Sequence, residues 1–204
     1  MVMQGLLDHV SRTPQLWNML RWLVEAGFRG EHRVIAQELR PFADQQRRFL
    51  DFGCGTGQFA ADFPPDRYVG MDLTRPYVQY AGAHRQGSYS VMDGSALGLS
   101  DQSFDAALVL GVIHHLPDTL VRASVVELHR VLKPGATLLV IEDVPPPSIW
   151  NVPGHLMHWL DRGDHIRTDA DYRALFAPHF EVQRSYHMRS GVCDYGVYLL
   201  ARQS

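Results

Sequence analysis

FLDFGCGTGQF, residues 49–59, sets three glycines at every second position directly behind a short apolar run. Glycine is tolerated where the backbone takes positive φ or where another group must come close. An apolar strand, a glycine turn and a helix in succession form a ligand crevice at the carboxyl end of the strand. Asp51, Gly53, Cys54, Gly55 and Gly57 are therefore the first candidate binding residues, and the question is which ligand they receive.

The chain on either side of this turn tells how it is mounted. Upstream, residues 14–28 place Leu16, Leu20, Leu23 and Gly27 at helical spacing with Trp17 and Trp22 flanking that face, and residues 31–42 continue as a second helix broken by Pro41. Downstream, RYVGMD, SYSVMD, FDAALVLG and ATLLVIEDV read as strands. GQFAADF, RPYVQYAGAH and DTLVRASVVELHRVLKPG read as the intervening helices, the last stopped at Lys133-Pro134-Gly135. Strands alternating with helices predict a parallel sheet covered on both faces. After residue 144 the pattern changes to a proline-opened segment rich in Trp and His. A helix, DADYRALFAPHF, and two strand-like runs able to pair antiparallel at the sheet edge follow it. The reading is one domain: a helical cap (1–47), a binding core (48–144), an insertion (145–168) and a terminal helix with a strand pair (169–204).

Composition narrows the function. With 204 residues, 46% hydrophobic and 20% charged, the chain has the make-up of a globular protein with a substantial core. A net charge of -3 supplies no basic field for nucleic acid. Two cysteines, one inside the glycine turn, argue against a structural disulfide, and neither a signal peptide nor an 18-residue apolar run is visible. A cytoplasmic protein without membrane insertion is expected.

The spacing of the turn separates the nucleotide sites. A dinucleotide cradle reads G-x-G-x-x-G, but its third glycine position here is Gln58, and no G-K-[ST] follows for a triphosphate. Two more acids end the next strands. Asp72 is placed to accept the hydroxyl hydrogens of a ribose. Asp93 is placed to accept from an exocyclic amine, while the N–H after it donates to a ring nitrogen.

Taken together, FLDFGCGTG, YVGMDL, VMDGSAL…SDQSFDAALVLGVIHHLPD and HRVLKPGATLLVIED make residues 48–144 resemble the class I S-adenosylmethionine-dependent methyltransferases of the type 11 kind. The resemblance implies a Rossmann-like seven-stranded sheet whose last strand runs antiparallel, with S-adenosyl-L-methionine as cofactor. It implies that Asp51 and the backbone of Gly53–Gly57 hold the methionine end, Cys54 serving through its backbone. Asp72 would bind the ribose with Leu73 beside it, Asp93 and Gly94 would read the adenine, and Gly111 and Val112 would approach the methionine moiety.

Methyl transfer needs alignment of the acceptor and, for a hydroxyl, removal of its proton; no metal is required. The segments free to serve the acceptor are the N-terminal helices and the insertion. In GVIHHLPD, His114 is expected to be the more open histidine and to face the sulfonium, His115 to cap the next helix. Within the insertion, His155, His158, Asp161, Asp164 and His165 gather among Trp150, Leu156, Met157, Trp159 and Leu160, which are expected to line an apolar pocket. His165 and then His158 are the catalytic candidates, because an imidazole titrates near neutrality and acids lie close by to orient it. Arg167 and Thr168 read as the start of the next helix, Thr168 as its cap. The expected acceptor is a small, partly apolar molecule methylated on oxygen. N- or C-methylation of a lipid, quinone or natural product, a cofactor-binding protein without turnover, and a nicotinamide-dependent oxidoreductase (disfavoured by Gln58) stay open.

Overall fold

A computed structural model describes residues 14–40, 46–146, 150–152, 154–155 and 165–203, with backbone alone over 14–17. The described strands are β1 (Phe49–Phe52), β2 (Tyr68–Asp72), β3 (Ser88–Val91), β4 (Phe104–Leu110), β5 (Leu132–Asp143), β6 (Phe180–Ser190) and β7 (Cys193–Arg202). They join in one sheet of order β3-β2-β1-β4-β5-β7-β6. The first five run parallel, and β7 pairs antiparallel with both β5 and β6. The order reverses between β1 and β4, which opens a crevice at their carboxyl ends.

Apolar residues on both sides of the central strands explain the layering. Leu50, Val109 and Val140 face one core with α4 (Asp118–Val131) and α5 (Asp169–Phe176). Their strand neighbours Phe49, Leu108 and Leu139 face the other, against Val34 and Ile35 of α2 (Arg29–Glu38). Alternate residues pointing to opposite covered faces require near-continuous apolar strands. α1 (Pro14–Val24) and α3 (Arg75–His84) complete the described helices of eight residues or more. No described helix is long and apolar enough to cross a membrane.

Three local expectations are corrected. GQFAADF forms a tight turn and a 3-10 helix, Ala60–Asp62, closed by i→i+3 bonds, and Pro64-Pro65 leaves no room for a longer helix. α4 stops at Val131, before Lys133-Pro134-Gly135; these residues lie in β5, where pairing with β4 shifts register between Phe104 and Ala106. A bulge accommodates a proline that has no N–H to give the ladder. On α1 the apolar spacing does not give a buried face: Leu20 is half-buried, and Leu23 with the flanking Trp22 is more than half exposed. The helix is tied to the glycine turn through Asn18, which accepts from Thr56 Oγ1 at 2.7 Å, while Arg21 pairs with Glu25 within the same segment at 2.7 Å.

Candidate active site

The glycine turn is stitched to the strand beside it. Gly53 and Cys54 both donate N–H to the Met71 carbonyl, at 2.8 and 2.9 Å. Asp72 then binds across the crevice, Oδ2 accepting Gly55 N–H at 2.9 Å and Oδ1 accepting Thr74 N–H at 2.7 Å. One carboxylate thus ties the turn to the start of α3.

The three glycines have separate jobs. All have positive φ (75°, 52° and 69°), which only glycine adopts without strain. A Cβ on Gly53 would lie 2.4 Å from Val112 Cγ2, so its missing side chain lets the ends of β1 and β4 touch. A Cβ on Gly57 would meet Tyr89, Arg85 and Ala81, making that glycine a packing contact against α3 and β3. At Gly55 nothing lies within 4 Å, so there the bare backbone faces open space.

Asp51 is buried beneath the turn and accepts a 2.5 Å hydrogen bond from Tyr68. Burial pushes its carboxyl up to about 7, against the Tyr68 bond, which favours the anion. Burial likewise raises the Cys54 thiol, so Cys54 stays a neutral packing group whose Sγ lies against Gly70. At the end of β3, Asp93 is exposed and held below the usual carboxylate range by the Ser95 hydroxyl and N–H. Gly94 packs against the tip of the Phe52 ring, where a Cβ would lie 2.4 Å from Cζ. Leu73 is 70% exposed at the rim. The candidates on β1, β2, β3 and β4 therefore end along one edge of the sheet.

Beyond β4 the structure reverses the two histidines. His114 is buried and His115 exposed. The signal missed in the sequence is Glu142, a fully buried acid in β5. It accepts Val112 and Ile113 N–H at 2.8 Å each, His114 N–H at 3.4 Å and His114 Nδ1 at 2.7 Å. That pulls His114 inward, with Nε2 3.6 Å from Asp143. His115 does not cap α4, whose first flanking residue is Pro117 without a side-chain cap.

Arg167 does more than begin a helix. Nearly buried, it donates to the carbonyls of Ile113, His165 and Leu116 and pairs with Asp118 at 2.7 Å. Thr168 caps α5 in a reciprocal pair with Asp171, as expected. His165 donates its backbone N–H to the His114 carbonyl at 3.0 Å, which brings this catalytic candidate to the end of β4. His158, Asp161, Asp164, Leu156, Met157, Trp159 and Leu160 lie outside the described residues. Trp150 is 85% exposed, so it does not line a closed pocket.

The residues present fit a nucleoside carrying an amino-acid tail: an open glycine face, a strand-end carboxylate for vicinal hydroxyls, and an exposed acid beside Gly94 at the end of β3. Residues 50–140 match a protein family described as a methyltransferase domain. Over 106 residues the chain is 34% identical to a probable tRNA methyltransferase 9B of Homo sapiens, covering 50% of this chain and 23% of that protein. It is 30% identical to a demethylmenaquinone methyltransferase of Bacteroides fragilis, covering 58% and 51%. The chain thus spans about a quarter and about half of these relatives' lengths. Among solved structures, the YcgJ protein of Bacillus subtilis superposes with TM-score 0.65 at 18% identity, covering 84% of this chain and 98% of that one. A SAM-dependent methyltransferase of Methanosarcina mazei gives 0.64 at 20%, covering 83% and 96%. Likeness at this identity speaks for the fold.

Proposed function

We propose, for a chain that belongs to the class I, type 11-like methyltransferase family, that it methylates a small, partly apolar acceptor, on oxygen, using S-adenosylmethionine. The observation that carries the cofactor is the ordered set of strand-end groups: the open backbone at Gly55, Asp72 on β2 and Asp93 on β3. When bound, adenosylmethionine supplies a methyl carbon already activated on a sulfonium. Asp51 and the turn from Gly53 to Gly57, including Cys54, hold its methionine end. Asp72 with Leu73 holds the ribose, Asp93 and Gly94 the adenine, and Gly111 and Val112 approach the reacting end.

The chain's remaining work is alignment and proton transfer. Glu142 and Arg167 fix the segment Gly111–Leu116 from below and from the side, so the reacting edge is set before the acceptor arrives. His165, seated against that segment, takes the acceptor's hydroxyl proton as the oxygen gains the methyl group; His158 is the second candidate. Support for an apolar acceptor comes from Met19, Trp22 and Leu23 on α1 and Val152 in the insertion, all exposed. Both segments are fastened to the same β6–β7 turn, through the bonds Val192 to Val24 and Asn151 to Val192.

Two variants divide the roles. Asp72→Ala is expected to weaken adenosylmethionine binding by about 1–3 kcal/mol through lost charged hydrogen bonds, read by calorimetry with NAD as the control ligand. His165→Gln is expected to lower turnover by on the order of 10²-fold or more at nearly unchanged cofactor affinity. The acceptor is sought by mass spectrometry, as a gain of one methyl group across phenols, carboxylic acids, quinone and lipid extracts and bulk tRNA. A gain confined to tRNA would overturn the small-acceptor reading; cofactor binding with no gain anywhere would reduce the chain to a binding protein.

A further inference from the structure

Glu31, near the start of α2, is completely buried where the N-terminal helices meet the β6–β7 turn. Its Oε2 lies 2.5 Å from Ser190 Oγ. The same hydroxyl is 2.9 Å from the Glu25 carbonyl oxygen and accepts Gly30 N–H at 3.3 Å. Among the described residues Glu31 Oε1 has no hydrogen-bond partner, and its neighbour is the Glu25 carboxyl group.

Counting hydrogens shows a deficit. Ser190 has one hydrogen to give and two acceptors waiting for it. Two ionised carboxylates bring none. With every group in its ordinary charge state, one short contact has no hydrogen, and a buried carboxylate faces another acid. A single extra proton on Glu31 removes both problems, supplying the missing hydrogen and cancelling the buried charge.

Among the described residues no neighbouring cation relieves the deficit. From the α1 side come Arg21 and Glu25, already paired at 2.7 Å, and from β7 Tyr195 donates to Glu25 at 3.0 Å. Arg189 of β6 is paired with Asp194 of β7 at 3.0 Å. Cys193 of β7 and Asp143 at the end of β5 border the same cluster, the thiol raised to about 12 chiefly by burial.

We propose that a proton on Glu31 fastens the N-terminal helices to the β6–β7 turn, and that its loss at alkaline pH loosens them: a pH-operated latch on the helix that anchors the glycine turn. The anchor is the bond from Thr56 to Asn18 of α1, so a loosened cap is felt at the ligand-facing turn. Burial first, and then the adjacent Glu25 carboxyl group, push Glu31 up to about 8. Because the folded value lies above the ordinary 4.5, this contribution to docking is complete below 4.5, declines as pH rises, and is gone above about 8.

The test is hydrogen exchange of the full chain without ligand, comparing peptides from residues 14–40 with β4 and β5 peptides after correction for intrinsic exchange. From about pH 6 to about pH 8, wild-type protection of 14–40 should fall relative to the core by up to about tenfold per pH unit. Glu31→Gln carries its own hydrogens and cannot ionise, so it should keep the cap protected throughout. Constant wild-type protection, or the same fall in the variant, overturns the proposal. Should Glu31→Gln not fold, infrared spectroscopy of Asp51→Asn decides, a background without the Asp51 carboxyl that burial also raises, to about 7. A buried protonated-carboxyl band that disappears in step with cap protection supports the latch, and its absence at about pH 6 sinks it.

Discussion

Glu142→Ala is expected to lose about 3–5 kcal/mol of unfolding free energy and, with it, measurable binding of adenosylmethionine. The wild-type carboxylate is fully buried and gathers three backbone N–H groups and an imidazole from residues 112–114. Alanine leaves those donors in a dry interior with nothing to meet, and each unsatisfied group costs roughly 1–3 kcal/mol. The segment carrying Gly111 and Val112 must then move to find water. Urea denaturation measures the first loss and calorimetry the second. Glu142→Gln is the informative companion, because its amide oxygen retains one acceptor while its NH₂ opposes the remaining donors. It should fall between wild type and Ala in both measurements. A Glu142→Ala protein with wild-type stability and affinity would mean that the segment holds its shape without the carboxylate.

Gly53→Ala is the second large effect, and it separates the glycines. Positive φ costs a residue with a Cβ about 1–2 kcal/mol. The added methyl would also lie 2.4 Å from Val112 Cγ2. Val112 is β-branched and cannot swing aside cheaply, and overpacking of this kind costs about 1–3 kcal/mol more. The ends of β1 and β4 must then part, so both stability and cofactor affinity should drop. Gly55→Ala is the counterpart: its Cβ meets nothing within 4 Å, so it should fold with only the backbone penalty while losing ligand affinity. If both variants bind normally, the turn does not receive the ligand.

The sequence alone determined the frame. Strand-forming apolar runs separated by helices of matching period leave little choice but a parallel sheet with two covered faces, because Phe49 and Leu50, or Leu108 and Val109, must be buried on opposite sides. The glycine turn was legible because positive φ leaves its mark on residue type, and the strand-end acids because they follow each apolar run directly. What the tertiary structure decided lies between residues far apart in the chain. His114 is buried because Glu142, 28 positions later, waits beneath it, and nothing in GVIHHLPD distinguishes it from His115. Arg167 holds the same segment from 54 positions away, and Gly57 is packed while Gly55, in the same turn, faces open space. Glu31 resembles any helical acid until Ser190, 159 residues on, is brought against it. Local pattern fixes which face of an element is apolar; partners for buried polar groups are set by three-dimensional closure, since a hydrogen bond depends on where two atoms end up and not on their separation along the chain.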